Sequence, residues 1–184
     1  TLKKKGEVHK MMDFATRLVK QFYKPLVEEK VIPMLAISDP TGSGDLISDR
    51  VFREFSLPQL QPLIAWAKEH GVYTWLHICG NTRFALGGMG RLGCEIVDLD
   101  YPAPMAEARA KMGPNQILLG NINPVSVLRG GNVERVAQEI RGCHRAAGPR
   151  YIVGAGCEVP RDTPEANVHA LTEYARGHKP DETH

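Results

Sequence analysis

The segment YTWLHICGNT, residues 73–82, decides how this chain is read: YTWLHIC has the make-up of a buried strand and the residues after Cys79 close it with a turn. Upstream, a helix is predicted from Leu57 to His70, with Pro58 in its first turn and Gly71 just past its end. Before it, DPTGSGDLIS (39–48) holds too many turn formers to continue an element, and VIPMLAIS (31–38) reads as another strand. The chain opens on a helical period, with Met11, Phe14, Leu18, Phe22 and Leu26 on one face and Lys20, Lys24, Glu28 and Glu29 elsewhere, ending near Lys30. Downstream the alternation repeats: helix 82–92, strand EIVDLD (95–100), helix 105–112, strand QILLGNI (116–122), helix 133–147, strand YIVGAG (151–156) and helix 164–176. Strands interleaved with helices imply parallel pairing through right-handed crossovers. An open doubly wound sheet and part of a (βα)8 TIM barrel both fit that count.

The polar residues separate the two. Asp39, Cys79, Asp100, Asn121 and Cys157 all fall at or just after the carboxyl end of a strand. Open sheets bind ligands at one switch point, whereas a barrel draws its site from nearly every strand. A full barrel takes about 250 residues and eight strands. The expectation is an α/β single domain over 1–184, built as about the last five βα units of a TIM barrel, or else a reduced sheet.

Composition excludes several functions. The 184 residues are 42% hydrophobic and 24% charged with a net charge of +2, and the charges are scattered, so neither nucleic acid nor an anionic membrane is expected as a partner. Apolar runs are of strand length, far short of the roughly 20 residues that span a bilayer. Four cysteines, Cys79, Cys94, Cys143 and Cys157, are too few for a disulfide scaffold, which points to a reducing, cytoplasmic setting.

His77 and Cys79 stand two apart on a strand and project to one face, with Ile78 pointing the other way. An imidazole and a thiolate converging in this way form half of a soft metal site, for which zinc is the commonest ion; the plainer alternative is a buried Cys and a hydrogen-bonded His. Cys157, in GAGC at the end of the last strand, is the candidate third ligand, and three protein ligands with an open position make a catalytic zinc pattern. Cys94 and Cys143 read as packing residues. Glu158 is a further ligand, a support for one, or a solvated turn residue. TGSGD (41–45) matches neither phosphate-loop pattern, so nucleotide binding is not expected. Asp39, Asp100 and Asn121 are the candidate catalytic groups and Gly80, Asn81 and Asn123 the candidate cofactor-binding ones; the strand-end polar residues read equally well as caps of the helices that follow.

Three motifs taken together, HICGNT (77–82), LLGNINPVSVL (118–128) and GAGCEVPRDTPEAN (154–167), resemble the carboxyl-terminal half of the uroporphyrinogen decarboxylase superfamily. The branch most similar is that of the corrinoid methyltransferases, of the methylcobalamin:coenzyme M type and relatives that use tetrahydrofolate. That resemblance implies a complete barrel with three further βα units upstream. It also implies zinc held by His77, Cys79 and Cys157, and methylcobalamin as substrate or on a partner corrinoid protein. The small-molecule methyl acceptor would be a thiol, whose metal-bound thiolate attacks the methyl group on cobalt, or a folate. The rivals are a uroporphyrinogen decarboxylase-like enzyme, for which Arg83 and Arg161 are a thin supply of cations, and a noncatalytic half-barrel assembly module. Five parallel strands leave two open edges and an uncovered interior. A homodimer, or pairing with an amino-terminal half, is therefore expected, unless the first helix folds over the open face.

Overall fold

In the computed structural model, which describes residues 3–182, the chain begins with α1 (Lys5–Glu28) and then alternates strands with helices. The strands are β1 (Met34–Ser38), β2 (Tyr73–Ile78), β3 (Ile96–Leu99), β4 (Ile117–Gly120) and β5 (Tyr151–Ile152). Between β1 and β2 lie α2 (Asp49–Val51), a wider π-helical stretch Phe52–Ser56, and α3 (Leu57–Glu69). After β2 come α4 (Leu86–Leu92), α5 (Met105–Met112), a π-helical stretch Pro124–Arg129, α6 (Val133–Ala147) and α7 (Glu165–Gly177).

Strand order separates the two topologies that the sequence left open. All four pairings are parallel and the order is β1-β2-β3-β4-β5. Every right-handed crossover therefore steps the same way and sets its helix on the same face of the sheet, the winding of a barrel and not of a doubly wound sheet. The fold is five consecutive βα units of a TIM-barrel type.

The helix-bearing face forms the core. Leu76 and Ile78 of β2, Val97 and Leu99 of β3 and Leu118 of β4 pack on Leu60 and Ile64 of α3, Leu86 and Met89 of α4 and Met105 and Ala108 of α5. A second cluster joins Ile122, Leu128, Val136, Ile140 and Tyr174 beneath α6 and α7. The opposite face is the barrel interior, where strand alternation and register line up Ser38, His77, Asp98, Leu119 and Ile152 across the five strands.

Three readings of the sequence change. The helix expected from Leu57 is there as α3, but helical backbone begins earlier, with α2 at Asp49, where the Ser48 hydroxyl accepts from Val51 N; the polar run before it hid this start. The last strand pairs regularly only at Tyr151–Ile152, and Ile122 and Ala155 then form a single parallel bridge. Most consequentially, the apolar face of α1 is not covered: Met11, Phe14 and Phe22 are 65%, 60% and 71% exposed. The helix instead meets its neighbours through Val27, packed with Leu35, Trp66 and Ala67, and through polar contacts. Lys5 pairs with Glu54, Thr16 donates to Gln59, and Lys20 lies over the Trp66 ring. It therefore joins the outer helix layer and does not fold over the barrel interior. Among the described residues no helix is long and apolar enough to cross a membrane.

One polar contact braces the sheet. Glu95 Oε2 accepts from Thr74 N (2.7 Å) and from Thr74 Oγ1 (2.8 Å), and Thr74 is fully buried. Burial pushes the Glu95 carboxyl up, but the Thr74 donors and the Lys68 ammonium outweigh it and hold the group below the ordinary carboxylate value. Such a group stabilises the fold above its unfolded pKa, and that contribution is lost as pH falls through the folded value. Glu95→Ala strands two buried donors and is expected to lower unfolding free energy by about 2–4 kcal/mol at neutral pH. In urea melts the gap to wild type should narrow toward pH 3; a gap that does not change with pH would mean that the carboxylate charge is not what stabilises.

Candidate metal centre

His77 reaches the barrel interior because β2 alternates, and Cys79 follows it onto the same side where the strand ends. Gly80 makes the turn possible. It has φ +72°, and a Cβ there would sit 2.5 Å from both Asp45 Oδ2 and Ser43 Oγ. The third donor arrives from the chain after β5, where Gly156 lets the backbone pass so close to Tyr101 that a Cβ would lie 2.6 Å from its backbone nitrogen.

The three side chains converge. Cys79 Sγ is 3.2 Å and Cys157 Sγ 3.8 Å from His77 Nε2, and the two sulfurs are 3.6 Å apart. A tetrahedral ion with bonds of about 2.3 Å to sulfur and about 2.0–2.1 Å to nitrogen needs edges of roughly 3.6–3.8 Å, so the triangle fits zinc with little movement. The chemistry fits as well: two soft thiols and an imidazole, with all donor atoms within 4.8 Å of one another. The donors open on a cleft of about 500 Å³ lined by Ser38, His77, Cys79, Asp98, Ala155, Cys157 and Glu158, which leaves a fourth position for a small molecule.

The Asp98 carboxylate beside the ring, and a contact with Cys157, push His77 up to about 9 against the opposing effect of burial. Burial, with the neighbouring Cys157, raises the Cys79 thiol to about 11.

The other candidates occupy structural positions around this cleft. Asp100 is buried with both oxygens engaged, Oδ2 accepting from Gly80 N (2.6 Å) and Oδ1 from Tyr101 N (2.7 Å), so it pins the turn that carries Cys79. Asn121 is buried and its amide donates to Ala103 O (2.6 Å) and Asp100 O (3.2 Å). Asn123 caps the helical stretch after it by accepting from Val125 N and Ser126 N, and Asn81 accepts from Arg83 N. Asp39 accepts from Thr41 Oγ1 and lies outside the lining of the cysteine cleft. Glu158 is exposed at the cleft wall. Cys94 is buried in the core, and the partly buried Cys143 packs against it. The residue missed is Asp98. Its position between Val97 and Leu99 in an apolar strand was the available signal, since alternation alone turns it to the interior.

The family model for uroporphyrinogen decarboxylase (URO-D) matches residues 1–178. The chain belongs to the uroporphyrinogen decarboxylase family. Within the family it is 32% identical over 170 residues to the methylcobamide:CoM methyltransferase MtbA of Methanosarcina mazei, covering 92% of this chain and 49% of that protein. It is 30% identical over 128 residues to the uroporphyrinogen decarboxylase of Hordeum vulgare, covering 68% and 38%. Among solved structures, a methyltransferase from Methanosarcina mazei superposes with a TM-score of 0.80 at 26% identity, over 92% of this chain and 49% of that one. The chain spans about half the length of these methyltransferases.

Proposed function

We propose that a protein carrying this region is a corrinoid-dependent methyltransferase. It takes a methyl group from a methylated corrinoid, presented on a corrinoid protein, and passes it to a small-molecule acceptor, either a thiol of the coenzyme M kind or tetrahydrofolate. The observation that carries the reading is the donor triangle of His77, Cys79 and Cys157, open on one side; two of its edges match a tetrahedral site, while the third, His77 to Cys79, is a few tenths of an ångström short. The longer match to methylcobamide:CoM methyltransferases than to the plant decarboxylase agrees with it.

The residues have separate tasks. His77, Cys79 and Cys157 would hold zinc. A zinc ion in such a site supplies the positive charge that keeps an acceptor thiol deprotonated at neutral pH. Asp100 holds the Gly80 turn and with it the position of Cys79, while the glycine before Cys157 sets how closely the third donor approaches. The cleft beside them admits the acceptor at the carboxyl ends of the strands, where barrel chemistry is done.

The test uses a full-length protein that contains residues 1–184, loaded with zinc and given methylcobalamin with either acceptor. Cob(I)alamin should appear in the absorption spectrum, and the cysteine variants should not produce it. No demethylation with either acceptor would favour the second reading, a decarboxylase, to which the barley match points. That chemistry needs cations to grip substrate carboxylates, and no Lys or Arg lines the cleft.

The exposed apolar face of α1, with Met11, Phe14, Leu18 and Phe22 all more than half exposed, bears on assembly. Together with the open barrel interior it calls for a cover, so the 184-residue chain alone is expected to associate, as a homodimer or with a separate amino-terminal half. Light scattering at micromolar concentration should give at least twice the monomer mass. A monodisperse monomer that binds no apolar dye would overturn this.

A further inference from the structure

We infer that Asp98 is the positioning residue of the metal centre, orienting His77 so that Nε2 and not Nδ1 meets the ion. The inference rests on the metal reading above and adds a residue that the donor set does not contain. His77 and Asp98 are register partners on adjacent strands, both facing the interior. Asp98 Oδ2 lies 3.2 Å from His77 Nδ1, on the opposite side of the ring from the two sulfurs.

Asp98 has little else to do. It is 9% exposed, and among the described residues its one ion-pair contact is His77. Its Oδ1 is buried with no hydrogen-bond partner and no Lys or Arg is in ion-pair reach. The buried His77 Nδ1 has no aligned hydrogen bond either, and Asp98 Oδ2, at 3.2 Å, is the carboxylate oxygen beside it, so a small turn of either group would pair them. A buried carboxylate left so sparsely paired is unfavourable for folding alone. Beside an imidazole whose far nitrogen points at two thiols, the arrangement makes chemical sense. A carboxylate accepting from Nδ1–H fixes the tautomer with a free lone pair on Nε2, holds the ring plane, and makes Nε2 a better donor to a cation. Asp100, two residues on, is unsuited to this task because both of its oxygens are already taken by backbone N–H groups.

The test is metal affinity together with the state of the ring. Asp98→Asn keeps the shape and removes the charge, Asp98→Ala removes the contact, and Asp98→Glu restores a carboxylate one methylene further out. Competition of the 184-residue chain with a chromogenic chelator for Zn²⁺ is expected to show about 10–100-fold weaker binding for Asp98→Ala, a smaller loss for Asp98→Asn and partial recovery in Asp98→Glu. With Co²⁺ as probe, the thiolate-to-metal charge-transfer band should keep its two-cysteine intensity in each variant, which separates loss of orientation from collapse of the site. Nitrogen-15 spectra of the zinc-loaded wild-type chain should show Nδ1 protonated and Nε2 metal-bound, a readout that does not depend on any variant folding. Nδ1 on the metal, or equal affinity of wild type and all three variants, would overturn the role of Asp98 while leaving the metal centre intact. A wild-type chain that takes up neither Zn²⁺ nor Co²⁺ would overturn both.

Discussion

Replacing Cys157 or Cys79 by serine is expected to strip the chain of zinc. Zinc sites with four protein ligands bind with apparent free energies of about 10–16 kcal/mol, so one thiolate among three protein ligands should contribute roughly 3 kcal/mol or more. That corresponds to at least about a 100-fold loss of affinity. Serine is close in size but its hydroxyl stays protonated at neutral pH, and a neutral oxygen is a poor match for a site otherwise built from soft donors. The two substitutions should act alike, because the sulfurs stand at comparable distances from His77 Nε2, 3.2 and 3.8 Å, and 3.6 Å from each other. Cys143→Ser and Cys94→Ser supply the contrast: neither thiol is among the metal donors, and both are raised chiefly by burial. After dialysis against a chelator, mass spectrometry should find about one zinc per chain in wild type and in those two variants, and close to none in Cys79→Ser and Cys157→Ser. Full zinc content in either of the latter would sink the proposed donor set.

Gly156→Ala should have the second large effect, and on both stability and metal. The added methyl would lie 2.6 Å from Tyr101 N, 2.9 Å from Asp100 Oδ1 and 3.3 Å from Asp100 C. Two of these are backbone atoms of the segment that anchors the Cys79 turn, so relief requires moving either that segment or the GAGC chain away from the other. Overpacking of this kind costs about 3 kcal/mol or more where backbone has to shift, which in a domain of this size lowers the melting temperature by about 5–10 °C. Because Cys157 is the next residue, the shift should also widen the donor triangle and weaken zinc binding. Gly154→Ala is the matched control. Its methyl would meet Leu119 Cδ2 at 2.9 Å, the far end of a flexible side chain that can turn aside. A Gly156→Ala chain that melts within about 1 °C of wild type and keeps its zinc would show that this close approach is not needed.

The alternation of strand and helix could be read from the amino acids directly, because apolar period, turn residues and β-branched runs are local properties of the chain. The same is true of the inward pairing of His77 with Cys79, since two residues along a strand return to the same face whatever the rest of the fold does. Cys157 is a candidate from its own setting, a cysteine after small residues at the end of the last strand, and the order and spacing of three motifs strengthen it; no local rule links positions 79 and 157, so their meeting is a property of the fold. The sequence left the choice between a doubly wound sheet and a barrel to indirect argument from strand-end residues; strand order, a relation among all five strands, decided it. Asp98 stayed hidden for a related reason: its importance lies in the β2–β3 register that sets it opposite His77, and register depends on how two distant segments slide past each other. Asp100, a catalytic candidate, and Asn123, a cofactor-binding one, read equally well as caps because their position at strand ends is local, while the backbone N–H groups that occupy them are supplied by the folded turns. The period of α1 likewise marked an apolar face correctly but not what covers it. A helix pattern states which side avoids water, and only the packed structure, here a largely polar contact with α3 that leaves Phe14 and Phe22 in solvent, determines whether anything within the chain meets that side.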